Sequence, residues 1–202
     1  LMQALFSQTL RFTKPDGTSF PDWEKKRLGE VFSERSERGN EDAELLSVTI
    51  SRGVRRAADV DRANGASADR SNYKTVHIND IAYNSMRMWQ GANGVSEYFG
   101  IVSPAYTVIT PQADQVPAFW GYYFKLTTVI QEFQRHSQGL TSDTWNLKFP
   151  ALSSIRLAIP HPGEQAKIAE ALSAMDAKIA AVTGQLDRMQ DFKKGLLQQM
   201  FV

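Results

Sequence analysis

The most regular pattern of apolar and polar positions lies in the C-terminal part of the chain. After Pro162 the sequence contains no proline, and apolar side chains recur at alternating steps of four and three residues. The residues that share this spacing are Ile168, Leu172, Met175, Ile179, Val182, Leu186 and Met189. An apolar repeat of about 3.5 residues over about three heptads is typical of the seam along which helices pair in a coiled coil. We therefore predict one long helix whose seam pairs with another helix, supplied by a second copy, another chain or a further part of the same polypeptide.

Residues 23–160 show a different pattern, in which short runs of β-branched and aromatic residues alternate with turn residues. Five runs predict strands, at residues 44–50, 74–78, 81–86, 105–110 and 154–159. One helix is predicted around residues 118–134, where apolar positions form a stripe. Because strands outnumber helices, we predict an α+β fold, a mixed globular domain followed by the long C-terminal coiled-coil helix.

Composition divides the chain into four segments. Residues 1–12 are apolar and rich in glutamine, residues 13–22 have the composition of a linker, and residues 23–160 and 161–202 are the globule and the long helix. The first six residues, LMQALF, resemble LLQQMF at positions 196–201, as expected of a tandem repeat of globule and helix. We interpret residues 1–12 as the tail of a preceding helical region, in either a natural half-length protein or a piece of a longer one.

The chain carries 23 lysines and arginines against 22 aspartates and glutamates, a formal net charge of +1. This balance alone does not indicate a nucleic-acid-binding protein. The basic residues are unevenly distributed, however, and one stretch contains Arg52, Arg55, Arg56, Arg62, Arg70, Lys74 and Arg87. The sequence therefore allows a locally positive face on a nearly neutral chain.

The chain lacks cysteine, a secretory signal and any apolar stretch approaching the roughly 18 residues that a membrane span needs. Without cysteine, neither a disulfide framework nor a thiolate metal site can form. These features predict a cytoplasmic protein.

Three motifs that could suggest an enzyme lack the required arrangement. The carboxylates of a nuclease-like set in residues 22–26 lie too close in sequence to converge on a metal. Residues 103–106, Ser-Pro-Ala-Tyr, lack the amide or carboxylate with which an adenine methyltransferase motif would bind the exocyclic amine. The three histidines, His77, His136 and His161, have no metal or triad spacing. We predict no catalytic residue, no metal and no cofactor in this chain.

Several motifs, in this order, resemble the DNA specificity subunit of type I restriction-modification systems. They are Trp23-Glu24 with residues 27–31; Tyr73-Lys74, Val76, residues 80–84 and Met86; residues 100–106; Gln138-Gly139-Leu140; and Ile155, Ile159-Pro160, Pro162, Glu164-Gln165 and Ile168. In that family two target recognition domains alternate with two helical regions, and each domain reads one half of a split DNA site. The resemblance implies that residues 23–160 are the second target recognition domain and 161–202 the C-terminal helical region, which sets dimerisation and spacing. This chain departs from the family in holding one recognition domain.

The resemblance also implies the partners. The subunit catalyses nothing itself and directs methylation and cleavage by other subunits. Expected partners are double-stranded DNA, modification subunits that bind S-adenosylmethionine, and a restriction subunit that uses ATP and Mg²⁺. A homodimer, or a pair with a second half-subunit, would form through the long helix.

Side-chain chemistry suggests where DNA is read, because arginine, lysine, amides and hydroxyls can reach base edges. Two glycine-flanked segments offer these types, and their candidate residues are Arg87, Trp89, Gln90, Asn93, Ser96, Arg135, Gln138, Thr141 and Ser142. We assign the contacts with the DNA backbone to Arg52, Arg55, Arg56 and Lys74.

Alternatives remain for these residues and for the chain. The loops could be solvated turns, Trp89 could close the domain edge, and the arginines could pair with local carboxylates. The alternative function is a coiled-coil homodimeric adaptor whose globular domain binds a protein partner. Affinity for DNA that depends on salt would favour the first function, and salt-insensitive protein binding the second.

Overall fold

The computed structural model describes residues 1–40, 42–60 and 69–200. Arg62, counted above in the basic stretch, and Phe201, at the end of the terminal resemblance, lie outside the described residues. None of the described helices is long and apolar enough to cross a membrane.

The described elements alternate short strands with short helices and end in one long helix. The strands are β1 (Glu24–Arg27), β2 (Phe32–Arg35), β3 (Leu46–Thr49), β4 (Gly53–Arg56), β5 (Lys74–Val76), β6 (Ile81–Asn84), β7 (Asn93–Val95), β8 (Gly100–Val102), β9 (Tyr106–Pro111) and β10 (Arg156–Ile159). The helices are α1 (Met2–Phe6), α2 (Leu28–Val31), α3 (Pro117–Tyr123), α4 (Thr127–His136), α5 (Phe149–Ser154) and α6 (Pro162–Met200). Short 3₁₀ turns cover Ala57–Val60 and Met88–Gln90. The predicted α+β class with a long C-terminal helix is confirmed.

The central layer is a four-stranded antiparallel sheet in the order β2-β9-β6-β7. Alternate residues of β6 contribute to different hydrophobic clusters, because successive side chains of a strand point to opposite faces. Ile81 and Tyr83 belong to the larger cluster, and Ala82 belongs to the smaller one with Val108 of β9. Both faces of the sheet are therefore buried, which explains the almost continuous apolar runs in these two strands.

The predicted helix over residues 118–134 is wrong in extent, since two helices occupy this stretch. Helix α3 ends at Tyr123, and Leu126 has extended backbone angles, φ −67° and ψ 136°, before α4 begins. The break allows Phe124 to pack edge-on against Phe133, with ring centroids 5.2 Å apart. It also directs Lys125 out of the helix and towards three backbone carbonyls.

The N-terminal segment packs against the globule. Leu5 is buried in the larger cluster, and the ring of Phe6 stacks on that of Tyr123 at 5.3 Å. Within residues 13–22 a bridge between Thr13 and Ser19 closes a turn, and the following Phe20 is buried. Residues 1–22 therefore have ordered contacts with the domain that their composition did not indicate.

Helix α6 is anchored on the domain by its first turns. Glu164, only 1% exposed, accepts hydrogen bonds from Arg11 Nε at 3.0 Å and Trp23 Nε1 at 3.2 Å. Gln165, fully buried, donates to Pro160 O at 3.0 Å and accepts from Val116 N at 3.1 Å. The Glu-Gln pair that carries part of the family resemblance thus fixes the helix to the domain.

The seam divides into two parts. Ile168 and Leu172 are buried in the larger hydrophobic cluster of this chain, so their assignment to a helix-pairing seam is corrected. The apolar residues beyond them are exposed, namely Met175, Ile179, Val182, Leu186, Met189, Phe192, Leu196 and Leu197. The spacing of three and four is the same in both parts, because a helix that packs on a globule and one that packs on another helix both present one stripe.

Candidate nucleic-acid interface

The predicted DNA-contacting residues other than Lys74 lie in three segments, residues 51–56, 87–96 and 134–142. One lysine joins the first two of them. Lys125 Nζ donates hydrogen bonds to Ile50 O at 3.0 Å, Gly91 O at 2.6 Å and Asn93 O at 2.8 Å. Burial lowers the pKa of Lys125 to about 8, so at neutral pH the ammonium form still predominates. The β3–β4 turn and the segment around residues 87–94 are therefore held side by side.

A close backbone approach reinforces this contact. A Cβ atom added to Gly94 would lie 2.6 Å from Gly53 Cα, a distance that only the absence of a side chain permits. Glycine at both positions thus allows the β3–β4 turn to pack directly on β7.

The third segment begins a hairpin that packs against the segment around residues 87–94 through two tryptophans. Gln138 and Asn146 exchange backbone hydrogen bonds of 3.0 and 2.8 Å, which closes the loop between them. The rings of Trp89 and Trp145 meet edge-on at 5.2 Å, and Trp89 Nε1 donates to Met86 O at 3.0 Å. We call the residues between Gln138 and Asn146 the tip loop. All three predicted segments are thus linked in space, although no local sequence signal connects them.

The solvent-accessible candidates lie on these loops. Arg52, Arg87, Gln138, Thr141 and Ser142 are exposed, and Trp89 and Gln90 are partly buried beside them. Arg135 is exposed at the C-terminal end of α4 and pairs with Glu132. Leu140, which the sequence analysis had not singled out as a contact, is fully exposed at the tip loop.

Two candidates, Asn93 and Ser96, are buried inside the domain. Asn93 is 0% exposed and its Nδ2 lies 3.5 Å from Phe124 O, while Ser96 is 1% exposed and donates to Tyr98 O at 2.8 Å. Side chains enclosed in this way cannot reach base edges without opening the domain. We therefore correct their assignment: Asn93 holds the segment after Gly91 against Phe124 and Lys125, and Ser96 fixes the turn that leads to Tyr98. The candidates were chosen as polar residues near glycines, and this pattern does not indicate which side chains point into the domain and which point to solvent.

The β4 arginines each have a partner in the domain. Arg55 Nη1 lies 3.8 Å from Glu97 Oε2, and Arg56 Nε lies 3.3 Å from Glu44 Oε2. Arg56 also lies over the ring of Tyr98, at 5.0 Å from its centroid. These ion pairs are solvent-exposed and individually weak, so a phosphate can compete for either guanidinium.

Lys74 lies in a groove with two further basic residues that the sequence analysis missed. Its Nζ donates to Tyr106 O at 2.9 Å and is 3.9 Å from Glu34 Oε1. Burial lowers the pKa of Lys74, Glu34 opposes that shift, and the positive charges of Arg38 and Lys148 add to it. Arg38 follows β2 and Lys148 precedes α5, so their proximity results from the fold and has no local sequence signal.

The histidines have structural contacts. His77 Nε2 lies 2.9 Å from Glu37 Oε2, His136 Nδ1 lies 2.9 Å from Glu132 O, and the ring of His161 stacks on Phe20 at 5.8 Å. Among the described residues, no group of three or more His, Asp or Glu side chains is placed to hold a metal ion.

The fold and the convergent loops define a recognition module, and comparisons with known proteins agree with that class. The model of the type I restriction modification DNA specificity domain matches residues 21–190. The chain belongs to this family. No curated protein matches it in sequence.

Two solved structures have the same fold. The HsdS subunit from Thermoanaerobacter tengcongensis is 15% identical with a TM-score of 0.53, over 89% of this chain and 43% of that one. The second is a chain from a solved structure of the type I R-M system that addresses its complex assembly and conformational transition. It is 16% identical with a TM-score of 0.53, over 90% of this chain and 45% of that one. This chain therefore spans less than half the length of either.

Proposed function

We propose that this chain binds double-stranded DNA and reads the sequence of one half of a split target, as a specificity subunit or half-subunit of a type I restriction-modification complex. The observation that supports it most directly is the linkage of three polar loops through Lys125 and the Trp89–Trp145 pair. Loops held on a common scaffold can present side chains to a single stretch of DNA in a fixed arrangement.

Base recognition falls to the accessible polar side chains of these loops. Arg87 and Arg135 have the chemistry to contact guanine, Gln90 and Gln138 to contact adenine, and the hydroxyls of Thr141 and Ser142 to contact either. Arg52, Arg55, Arg56 and Lys74 supply positive charge for the DNA backbone, which positions the domain without reading sequence.

The reactions belong to partner subunits in this proposal. The chain itself is non-catalytic and binds neither S-adenosylmethionine nor ATP nor Mg²⁺; modification subunits supply methylation and a restriction subunit supplies cleavage. The setting is the cytoplasm, where the DNA and these partners are present.

Helix α6 sets the distance between two recognition domains. Its 39 residues span about 58 Å at about 1.5 Å per residue. The exposed apolar stripe from Met175 to Met189 pairs with the equivalent helix of a second copy or of a second half-subunit.

The deciding experiment is selection from randomised duplex DNA by the chain in complex with its cognate modification subunit, followed by sequencing. We expect one short enriched motif, repeated as an inverted pair if the chain dimerises. An Arg87→Ala complex, prepared identically, should enrich a motif that is degenerate at one position. An intact complex that enriches no motif would exclude sequence reading and favour the protein-binding adaptor.

A further inference from the structure

A basic groove lies beside the proposed base-reading loops. It has a volume of about 450 Å³, and Arg38, Lys74 and Lys148 line it together with one carboxylate, Glu34. Three cations against one anion leave an excess of positive charge within a concave surface. Concave surfaces lined by charge of one sign concentrate the opposite ion.

The three cations differ in how they are held. Lys74 is the innermost, with 12% of its side chain exposed and its ammonium on Tyr106 O. Arg38 is exposed and donates one hydrogen bond to Asn72 Oδ1 at 3.0 Å, and Lys148 is exposed just before α5. The outer pair is therefore free to move towards a ligand while the inner lysine stays fixed.

The mutual repulsion of these cations favours an anionic ligand. Lys74 is desolvated, and Arg38 and Lys148 are close enough to disfavour its charged form further. An anion bound between them would offset both effects, because opposite charges at short range stabilise the ionised form.

The remaining lining connects the groove with the tip loop. Asn146, which closes that loop by pairing with Gln138, also lines the groove, and its Oδ1 is buried without a hydrogen-bond partner among the described residues. Met86, whose carbonyl accepts from Trp89, lines it as well. A strand of DNA whose bases met the tip loop would thus have its backbone near the groove.

We propose that this groove binds one phosphodiester of the DNA backbone, with Arg38 and Lys148 as the outer contacts and Lys74 as the fixed inner charge. This inference rests on the proposed function, because it assigns a ligand class to a surface next to the same loops. The contact is independent of sequence and sets the register of the domain on its half-site.

The test is a scan of neutral methylphosphonate linkages, placed one at a time along the selected DNA target. With the unaltered chain in its complex, we expect one linkage whose neutralisation weakens binding about tenfold. With Lys148→Gln the penalty at that linkage should fall to within about twofold, while the penalties elsewhere stay unchanged. The slope of log K against log salt should also fall by about 0.9, as expected for one lost phosphate contact.

Two further variants keep the test interpretable. Arg38→Gln should abolish the same penalty at the same linkage, and Lys178→Gln, an equal change of charge on the exposed face of α6, should leave the whole pattern intact. Assembly with the modification subunit is measured for each variant.

The outcomes separate this inference from the proposed function. If the complexes select a motif but Lys148→Gln and Arg38→Gln leave every linkage penalty unchanged, the groove assignment is wrong and sequence reading stands. If the unaltered complex selects no motif and does not bind DNA, both proposals fall together.

Discussion

A change at one side chain, Leu140, can test whether the tip loop contacts DNA. It stands fully exposed at the tip loop, beside a glycine with φ +151° whose added Cβ would lie 2.7 Å from the backbone of Thr144. Because Leu140 is fully exposed, Leu140→Asp should leave the melting temperature within about 1 °C.

The same variant should weaken DNA binding about tenfold or more, since it would bring a negative charge against the strongly negative DNA. Filter binding or anisotropy with the selected target measures this effect. Ala113→Asp, an equal change in the exposed turn after β9, is the matched control and should bind normally. Equal losses for the two variants would show a general charge effect and would remove the tip loop from the interface.

Arg87 and Arg55 differ in the kind of contact proposed for each. Arg87→Ala should relax the preference at one base position by about 1–3 kcal/mol. Arg55→Ala should weaken binding to all sequences alike and lower its salt dependence, because it removes a backbone contact. Competition binding against single-base variants of the selected target distinguishes these results. A uniform loss for Arg87→Ala would reassign that residue to the backbone.

Lys125 is the side chain on which the arrangement of the loops depends. Lys125→Met should lower the free energy of unfolding by about 2 kcal/mol, because three carbonyl oxygens lose a charged donor. Urea denaturation measures the loss, with Lys178→Met on the exposed face of α6 as the control. Sequence selectivity should also decrease in the folded Lys125→Met variant. If that variant remained fully selective, the contacts of Lys125 with the two loops would not be needed for recognition.

At the scale of the elements, α6 combines an anchored part and a free part. The exposed stripe predicts self-association, because an apolar seam of this length is stabilised by burial against a second helix. The double variant Ile179→Glu/Val182→Glu should weaken dimerisation more than tenfold in light scattering. Ala177→Glu, on another face of the helix, is the control. A monomer at high concentration for the unaltered chain would assign the stripe to a different partner subunit.

The five predicted strand runs all contain strands, because alternating or fully apolar runs leave few other structures. Strands β1, β2 and β4 were missed, because their sequences Glu-Lys-Lys-Arg, Phe-Ser-Glu-Arg and Gly-Val-Arg-Arg are short and mostly polar. Pairing with β10, β9 and β3 makes them strands. Strands β7 and β8 are only three residues long and lie in glycine-containing segments assigned to turns and motifs. Pairing between distant segments, rather than propensity, decided these elements.

At the scale of the whole molecule, Glu164 connects the N-terminal segment, the start of the domain and the long helix. Glu164→Gln should lower the free energy of unfolding by about 2–3 kcal/mol, because Arg11 would lose the buried one of its two carboxylate partners and keep only the exposed Asp22. Chemical denaturation measures the change, and Glu170→Gln, at an exposed side chain of α6, should have no effect. Arg11→Met combined with Glu164→Gln should recover part of the loss.

The sequence by itself determined the class of fold, the long helix, five of the described strands and the resemblance to the specificity family. These depend on local periodicity and on short motifs, which are complete within a few residues. The tertiary structure alone decided which polar side chains face outward, and it placed Asn93 and Ser96 inside and Arg38 and Lys148 beside Lys74. It also decided that Ile168 and Leu172 pack on the domain whereas Met175 and its successors remain exposed. These outcomes depend on contacts between distant segments, such as that of Lys125 with Ile50, and no local pattern of hydrophobic and polar residues encodes them.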